Sequence, residues 1–336
     1  MIKREMKIFP WVILSGWLFG LILWDGTVSA APEKVRIAYG YRSNTMLPLW
    51  TANDAKYFQK HNLDVEIINV RGAAVGIAGL VSGEFQYFVM GATSPVGAAG
   101  QGVDIVAVMS MSIPNFVLIG RPELKSAADL RGKTIAMGDI GGINDFAVAE
   151  GLKKFGIGVD QYARRIIGDQ PSRVNGMLVG QFDATLVSPP VNLMLEKKGF
   201  KRLFTTLELN IPIPPSAFFV FRPAVRKNPD LTEKVVKAMI EATKRVKEDR
   251  QLGYELMRKY MRVDDGEVLE GSYASALPTF PERAPYVSLE AIEQLIELIA
   301  SRNPKIKVLS PKSVVDHSIL KKIESEGFID QVYGKR

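Results

Sequence analysis

The sequence predicts an α/β protein of two lobes, one inserted into the other. Three observations predict it. Short apolar runs alternate with helix-period segments from Val35 to Thr206, the pattern of a mostly parallel sheet flanked by helices. Two similar segments, Asn115-Phe-Val-Leu-Ile-Gly-Arg-Pro and Ser216-Ala-Phe-Phe-Val-Phe-Arg-Pro, bracket the middle of the chain and read as strands crossing between lobes. From Pro223 onward the chain turns helical. The boundaries that follow are lobe 1 over residues 33–117 and 221–336 and lobe 2 over residues 118–220.

Residues 1–30 are set apart from the fold. Lys3, Arg4 and Lys7 make a basic start, Ile8–Trp24 is almost wholly apolar, and Val28-Ser29-Ala30 ends in small residues. This is the pattern of a secretory signal peptide cleaved after Ala30, with an uncleaved anchor helix as the alternative reading. Export to the periplasm is the expectation. The chain has no cysteine, so an exported protein of this size relies on its core alone, and a lipid-modified Cys at the cleavage site is ruled out. With only His61 and His317, in unrelated contexts, zinc sites and His-based triads have no basis, and no metal is expected. The net charge of +7 comes from dispersed Lys and Arg without interleaved aromatics, which argues against a nucleic-acid footprint.

Taken in order, Val35–Tyr39 alternates as a strand and opens into the loop Gly40-Tyr-Arg-Ser-Asn-Thr. Leu47–Lys60 reads as one helix, with Leu47, Trp50, Ala55 and Phe58 for its buried side. Asp64–Val70 is the next strand, Ala73–Ser82 a helix of small residues, and Phe85–Met90 a strand ending in Gly91-Ala-Thr-Ser-Pro. Another Ala/Gly-rich helix leads to the apolar strand Ile105–Met111. Leu124–Leu130 links to the strand Thr134–Met137, which feeds Gly138, Gly141 and Gly142. Glycine adopts positive φ at little steric cost, so a tight turn is expected there. Asn144 and Asp145 stand where a helix cap belongs, and Phe146, Ala149 and Leu152 share one face of the helix that follows. Arg165–Ile167, Phe182–Val187 and Lys201–Thr206 are strands, with helices Ser172–Val179 and Val191–Lys198 between them. Beyond Ala217–Phe221, Asp230–Arg250 carries Val235, Met239, Ala242 and Val246 on one face. Leu252–Tyr260, Glu267–Ser275, Ser288–Ser301 and Ser313–Glu326 complete a helical layer closing on lobe 1.

The segments Val35-Arg-Ile-Ala-Tyr-Gly, Pro48-Leu-Trp-Thr-Ala, Gly83-Glu-Phe-Gln-Tyr-Phe-Val-Met-Gly, Ser126-Ala-Ala-Asp-Leu-Arg-Gly-Lys-Thr-Ile-Ala, Gly180-Gln-Phe-Asp-Ala-Thr and Lys227-Asn-Pro-Asp follow one another along the whole chain after the leader. In this ordered series the protein resembles periplasmic solute-binding proteins of ABC importers, of the sulfonate/taurine/nitrate and thiamine-precursor (pyrimidine) type. The resemblance implies a type II periplasmic-binding-protein-like fold, with two hinge strands and a ligand held in the cleft by loops at the carboxyl ends of strands. Carried onto this sequence, those loops offer Ser43 and Asn44; Ala92, Thr93 and Ser94; Gly141, Gly142, Ile143 and Asn144; and Ser188 and Pro189. Phe116, on the first crossing segment, would pack on an apolar part of the ligand. Arg42 and Arg71 lie beside these loops and read either as anion-binding groups or as exposed loop arginines.

The resemblance further implies a monomer without cofactors. Such a protein captures a sulfonate, carboxylate, nitrate-like or pyrimidine-like solute and delivers it to transmembrane permease subunits. The Cys-rich motif of the eukaryotic pyrimidine-synthesising relatives is missing, so their chemistry does not carry over. A periplasmic ligand-sensing subunit and an exported enzyme are the alternatives on the same fold. Catalysis has little footing in the residues. Ser94 and Ser188 stand outside any Gly-x-Ser-x-Gly and lack a nearby His. Asp139 and Asp145 read as turn and cap residues, and the glycine loop lacks the Lys-Ser/Thr of a P-loop. His317 reads as a surface helix residue.

Overall fold

The computed structural model describes residues 31–70, 72–138, 140, 143–301 and 303–335. The predicted signal peptide, Arg71, Asp139, Gly141 and Gly142 lie outside the described residues. Among the described residues the strands are, in chain order, β1 (Glu33–Tyr39), β2 (Leu63–Asn69), β3 (Tyr87–Gly91), β4 (Ile105–Ser112), β5 (Val117–Gly120), β6 (Thr134–Met137), β7 (Ala163–Ile166), β8 (Ala184–Val187), β9 (Lys201–Thr205) and β10 (Ser216–Phe221). They form two five-stranded sheets, ordered β2-β1-β3-β10-β4 and β7-β6-β8-β5-β9.

The two orders are one topology used twice. In the first sheet β1 runs parallel to β2 and β3, and β10 runs antiparallel to both β3 and β4. In the second, β6 runs parallel to β7 and β8, and β5 runs antiparallel to both β8 and β9. Four strands of each sheet therefore point the same way, and the fifth is the one arriving from the other lobe. The expected two-lobed α/β fold stands, with both sheets mixed. Ser216–Phe221 and Val117–Gly120 are integral sheet strands rather than free-standing links. The chain crosses between sheets through irregular backbone, over 113–116 and 206–215.

Alternation along the strands sends successive side chains to opposite faces. Phe218 joins a cluster with Trp50, Tyr87, Val235 and Met239, while Phe219 joins one with Phe88, Leu80, Ile292 and Leu295. All eight residues of β4 are buried, as expected of a strand covered on both faces. In the second sheet Leu118, Ile135 and Leu186 face the helix Ile143–Lys153, whereas Val117, Ile119 and Ala136 face Met177 and Leu195. The C-terminal helices do cover lobe 1: Val235, Met239, Ala242 and Val246 of helix Pro229–Glu248 all enter its core.

Several expected elements differ in detail. Leu47–Lys60 is two helices, Leu47–Asp54 and Tyr57–Lys60, because Lys56 adopts a left-handed φ of 61°. Ser313–Glu326 is likewise divided into Pro311–Val314 and Ser318–Ser325, since Val315 between them makes a parallel bridge to Ala107 at the edge of β4. That bridge covers an edge strand that would otherwise offer unpaired backbone groups. His317 is not a surface helix residue. It stands half-buried before the helix Ser318–Ser325, and its Nε2 accepts the Val287 N–H at 3.2 Å. The helix after the glycine turn begins at Ile143, so Asn144 and Asp145 lie within its first turn. Its buried face is Ala147, Val148, Gly151 and Leu152; of the three residues expected to share a face, Leu152 is buried while Phe146 and Ala149 are half-buried.

Candidate ligand-binding site

Between the two sheets lies a cavity of about 330 Å³, lined from both lobes and both crossing segments. Lobe 1 contributes the loop after β1 (Tyr41, Arg42, Ser43, Asn44, Thr45) and the end of β3 with the turn beyond it (Met90, Gly91, Ala92, Thr93, Ser94). Lobe 2 contributes Ile143, Gln170 and Ser188, and the crossing segments contribute Pro114, Asn115, Phe116 and Pro214. In both lobes these residues follow the carboxyl ends of parallel strands, where open α/β sheets leave a crevice.

The loop after β1 is rigid for identifiable reasons. Ser43 caps the short 3-10 turn Asn44–Met46 by accepting the Thr45 N–H at 3.3 Å, and its Oγ lies 2.5 Å from Thr45 Oγ1. Tyr41 pairs its hydroxyl with Ser216 Oγ on β10. Burial pushes the Tyr41 phenol up to about 12, so it stays neutral and acts as a hydrogen-bonding group only. Asn44 is buried and donates from Nδ2 to Ser272 O at 2.7 Å and to Ser275 Oγ at 3.0 Å. Its Oδ1 has no hydrogen-bond partner among the described residues.

On the opposite jaw, Asp169 caps the helix Gln170–Leu178 and places Gln170 at its first position. Gln170 Oε1 accepts from Ser188 N at 3.1 Å and from Ser188 Oγ at 3.4 Å. A backbone N–H can only donate, so these bonds fix the amide orientation and leave Nε2 as a donor with no protein acceptor among the described residues. The crossing segments are tied to each other. Phe116 N donates to Thr206 Oγ1 at 2.9 Å, Thr206 N to Phe116 O at 2.8 Å, and Leu207 N to Asn115 Oδ1 at 3.2 Å.

The charge pattern is simple. Arg42 is the one charged side chain among the described residues lining the cavity, and it makes no ion pair or hydrogen bond among them. Asp145, near the glycine turn, does not reach the cavity; it is buried, with Arg164 Nη1 at 3.3 Å from both carboxylate oxygens. No cluster of acidic, His or Cys side chains with metal-binding geometry occurs among the described residues.

Of the residues expected at the site, Arg42, Ser43, Asn44, Ala92, Thr93, Ser94, Phe116, Ile143 and Ser188 are brought together around this cavity. Asn144 and Pro189 do not line it, and Arg71, Gly141 and Gly142 fall outside the described residues. Tyr41, Thr45, Met90, Gly91, Pro114, Asn115, Gln170 and Pro214 line it without having been expected. Pro114-Asn115 and Pro214 sit in the very segments that bracket lobe 2. Their signal was therefore position at a crossing rather than any motif.

Solved structures give the same architecture. Similar to this chain is a putative periplasmic sulfonate-binding protein, SsuA, from Methylobacillus flagellatus KT, at 18% identity and TM-score 0.67, covering 89% of this chain and 97% of that one. The periplasmic nitrate-binding protein NrtA from Synechocystis PCC 6803 matches at 13% identity and TM-score 0.70, covering 90% and 91%. The desulfurization enzyme DSZB matches at 15% identity and TM-score 0.65, covering 87% and 99%. At these identities the likeness shows the fold. No curated protein matches the sequence. Residues 30–253 match the NMT1-like family, and the chain belongs to that family.

Proposed function

We propose that the protein captures a small anionic organic solute between its lobes and hands it to the permease of an ABC importer from the periplasmic side. The observation that carries this reading is the cavity itself, walled by both lobes and by both crossing segments. A ligand touching both jaws favours the closed arrangement over an open one, and only such differential contact can shift the population. Preference for an anion rests on Arg42 being unpaired and on the donors available from both sides: the Arg42 guanidinium from lobe 1 and Gln170 Nε2 from lobe 2. Sulfonate- and nitrate-binding proteins of the same fold support the solute class. Capture without turnover is favoured because both histidines are engaged away from the cavity, His61 with Glu241 Oε2 at 2.9 Å and His317 with Val287.

Titration calorimetry of the protein lacking residues 1–30, against a panel of sulfonates, carboxylates and nitrate, tests this. At least one anion should bind, and Arg42→Ala should weaken it about ten- to a hundredfold, the range for a lost charged hydrogen bond. Undiminished binding by that variant, or a preference for cations, would refute the reading.

A further inference from the structure

The end of lobe 2 away from the cavity carries a basic, apolar turn that solute capture does not use. The helix Ile143–Lys153 begins at the cavity with Ile143 and, at about 1.5 Å per residue, ends about 15 Å away at Lys153. Lys154, Phe155 and Val159 follow, all exposed. We propose that this turn docks on an anionic lipid membrane, with its cations at headgroup phosphates and Phe155 and Val159 dipping into the interface. The inference concerns a face remote from the cleft and does not rest on the solute bound there.

The turn is held in one shape. Gly156, at a φ of 73°, ends the helix; its N–H donates to Lys153 O at 3.0 Å, and the Ile157 N–H donates to Leu152 O at 3.1 Å. That is a Schellman cap, completed by burial of Ile157 with Leu152 in one cluster. Arg131 Nη2 donates to Gly156 O at 3.0 Å, and Gly132 N to Gln161 O at 2.7 Å, so the segment before β6 lies against the turn. Phe155 stacks on Phe204 at a centroid distance of 6.1 Å and still leaves 37% of its surface exposed; Val159 leaves 49%. A preset turn loses little conformational freedom on docking.

The charges around it are free to meet phosphates. Arg131, Lys133, Lys153 and Lys154 are exposed and make no ion pair among the described residues. Against these four cations stand Asp160 on the turn and the half-buried Glu150 one helical turn earlier. Lys125 and Asp129, on the neighbouring turn, cancel, and Asp129 Oδ2 already accepts the Lys125 N–H at 2.7 Å and the Ser126 N–H at 2.9 Å. A lysine stem can lie along an apolar residue while its ammonium stays at headgroup level, which is how cations beside exposed apolar tips suit an interface. With the cavity at the other end of the helix, docking here would hold the protein at a membrane while leaving the cleft free.

Cosedimentation tests this with the protein lacking residues 1–30, so that the apolar Ile8–Trp24 run binds no lipid itself. The vesicles are phosphatidylcholine alone, or with about one lipid in three replaced by phosphatidylglycerol. Each cation in excess contributes about fivefold near an anionic surface, so two should favour the anionic vesicles about thirtyfold at low salt. Most of that preference should vanish at about 0.5 M salt, where screening acts within about 4 Å. Lys153→Gln combined with Lys154→Gln should bring binding down to the neutral-vesicle level, with the melting temperature unchanged within about 1 °C. Val159→Trp supplies a reporter, because the other tryptophan of the protein without residues 1–30, Trp50, is fully buried. Its emission should move to the blue on anionic vesicles only. Equal binding to both vesicle types, binding to neither, or undiminished binding by the double variant overturns the proposal. So does binding without a spectral shift, which would put another face on the lipid. Retention on permease-bearing membranes but not on protein-free anionic vesicles would assign the turn to a protein partner and equally overturn it.

Discussion

Val287 donates its N–H to Nε2 of His317, a bond that only the unprotonated nitrogen can accept. Around that ring stand Tyr286, in edge contact at 4.9 Å, together with Lys321 and Asp316. Burial first, and then the Lys321 charge, hold the imidazole below its ordinary value. The native state thus binds its proton less readily than the unfolded chain. The stability this contributes is complete above the unfolded value near 6.5 and is lost as pH falls through the folded value. His317→Gln keeps an acceptor for Val287 and removes the titration. The variant should lose less melting temperature than the wild type between pH 7.5 and pH 5; equal losses would show that His317 does not contribute. Packing is equally local at Gly76, where a Cβ would lie 2.2 Å from Phe88 Cζ. Phe88 is fully buried between helix and sheet, so it has no free space to retreat into. Gly76→Val should therefore lower stability by about 1–3 kcal/mol or somewhat more in urea unfolding, the cost of overpacking a filled core.

Helices show most plainly what sequence patterns carry and what they omit. The face Val235, Met239, Ala242, Val246 repeats at helical spacing, and the structure buries all four. The break at Lys56 has no such signal, because a left-handed lysine carries neither glycine nor proline to mark it. Val315 turns from helix to bridge because Ala107, far away in sequence, offers a strand edge. The contact between helix Val191–Lys197 and helix Gly266–Ala276 was hidden for the same reason: Lys197 looked like one dispersed charge, and its partners Asp265 and Glu267 follow some seventy residues later. Hydrogen bonding to Lys197 holds the Asp265 carboxyl below the usual carboxylate range and, with Glu267, raises the Lys197 amine. These groups are exposed, so salt screens them. Because they join the two lobes, their effect is expected on the contact between lobes rather than on folding. Lys197→Glu should weaken ligand binding several-fold at low salt and less at high salt, with the ligand-free melting temperature unchanged within about 1 °C. A salt-independent loss would point to altered packing at Leu193 instead.

For the whole molecule, the doubled topology was written in the two segments ending in Arg-Pro, which became β5 and β10, the single reversed strand of each sheet. Loop positions at strand ends were legible for the same reason, since a parallel sheet places its crevice there. Gln170 and Asn115 were not, because their role depends on where two lobes meet, and no local periodicity encodes that distance. Asn115 joins the two functions of this architecture. Its side chain lines the cavity, and its Oδ1 accepts the Leu207 N–H that ties one crossing segment to the other. The cavity wall and the tie between crossing segments therefore share a residue, and on the proposed reading filling the cavity should bias the lobes toward contact. At a hundredfold excess over Kd a ligand confined to the folded state adds about 2.7 kcal/mol of stability. The radius of gyration of the protein without residues 1–30 should fall on ligand addition, and its melting temperature should rise. Asn115→Ala should leave the ligand-free melting temperature almost unchanged, since water can reach the freed Leu207 N–H in its exposed turn. The same variant should reduce both the ligand-induced contraction and the affinity. If contraction persists in full while affinity falls, Asn115 serves the ligand alone and the hinge is set by Phe116 and Thr206.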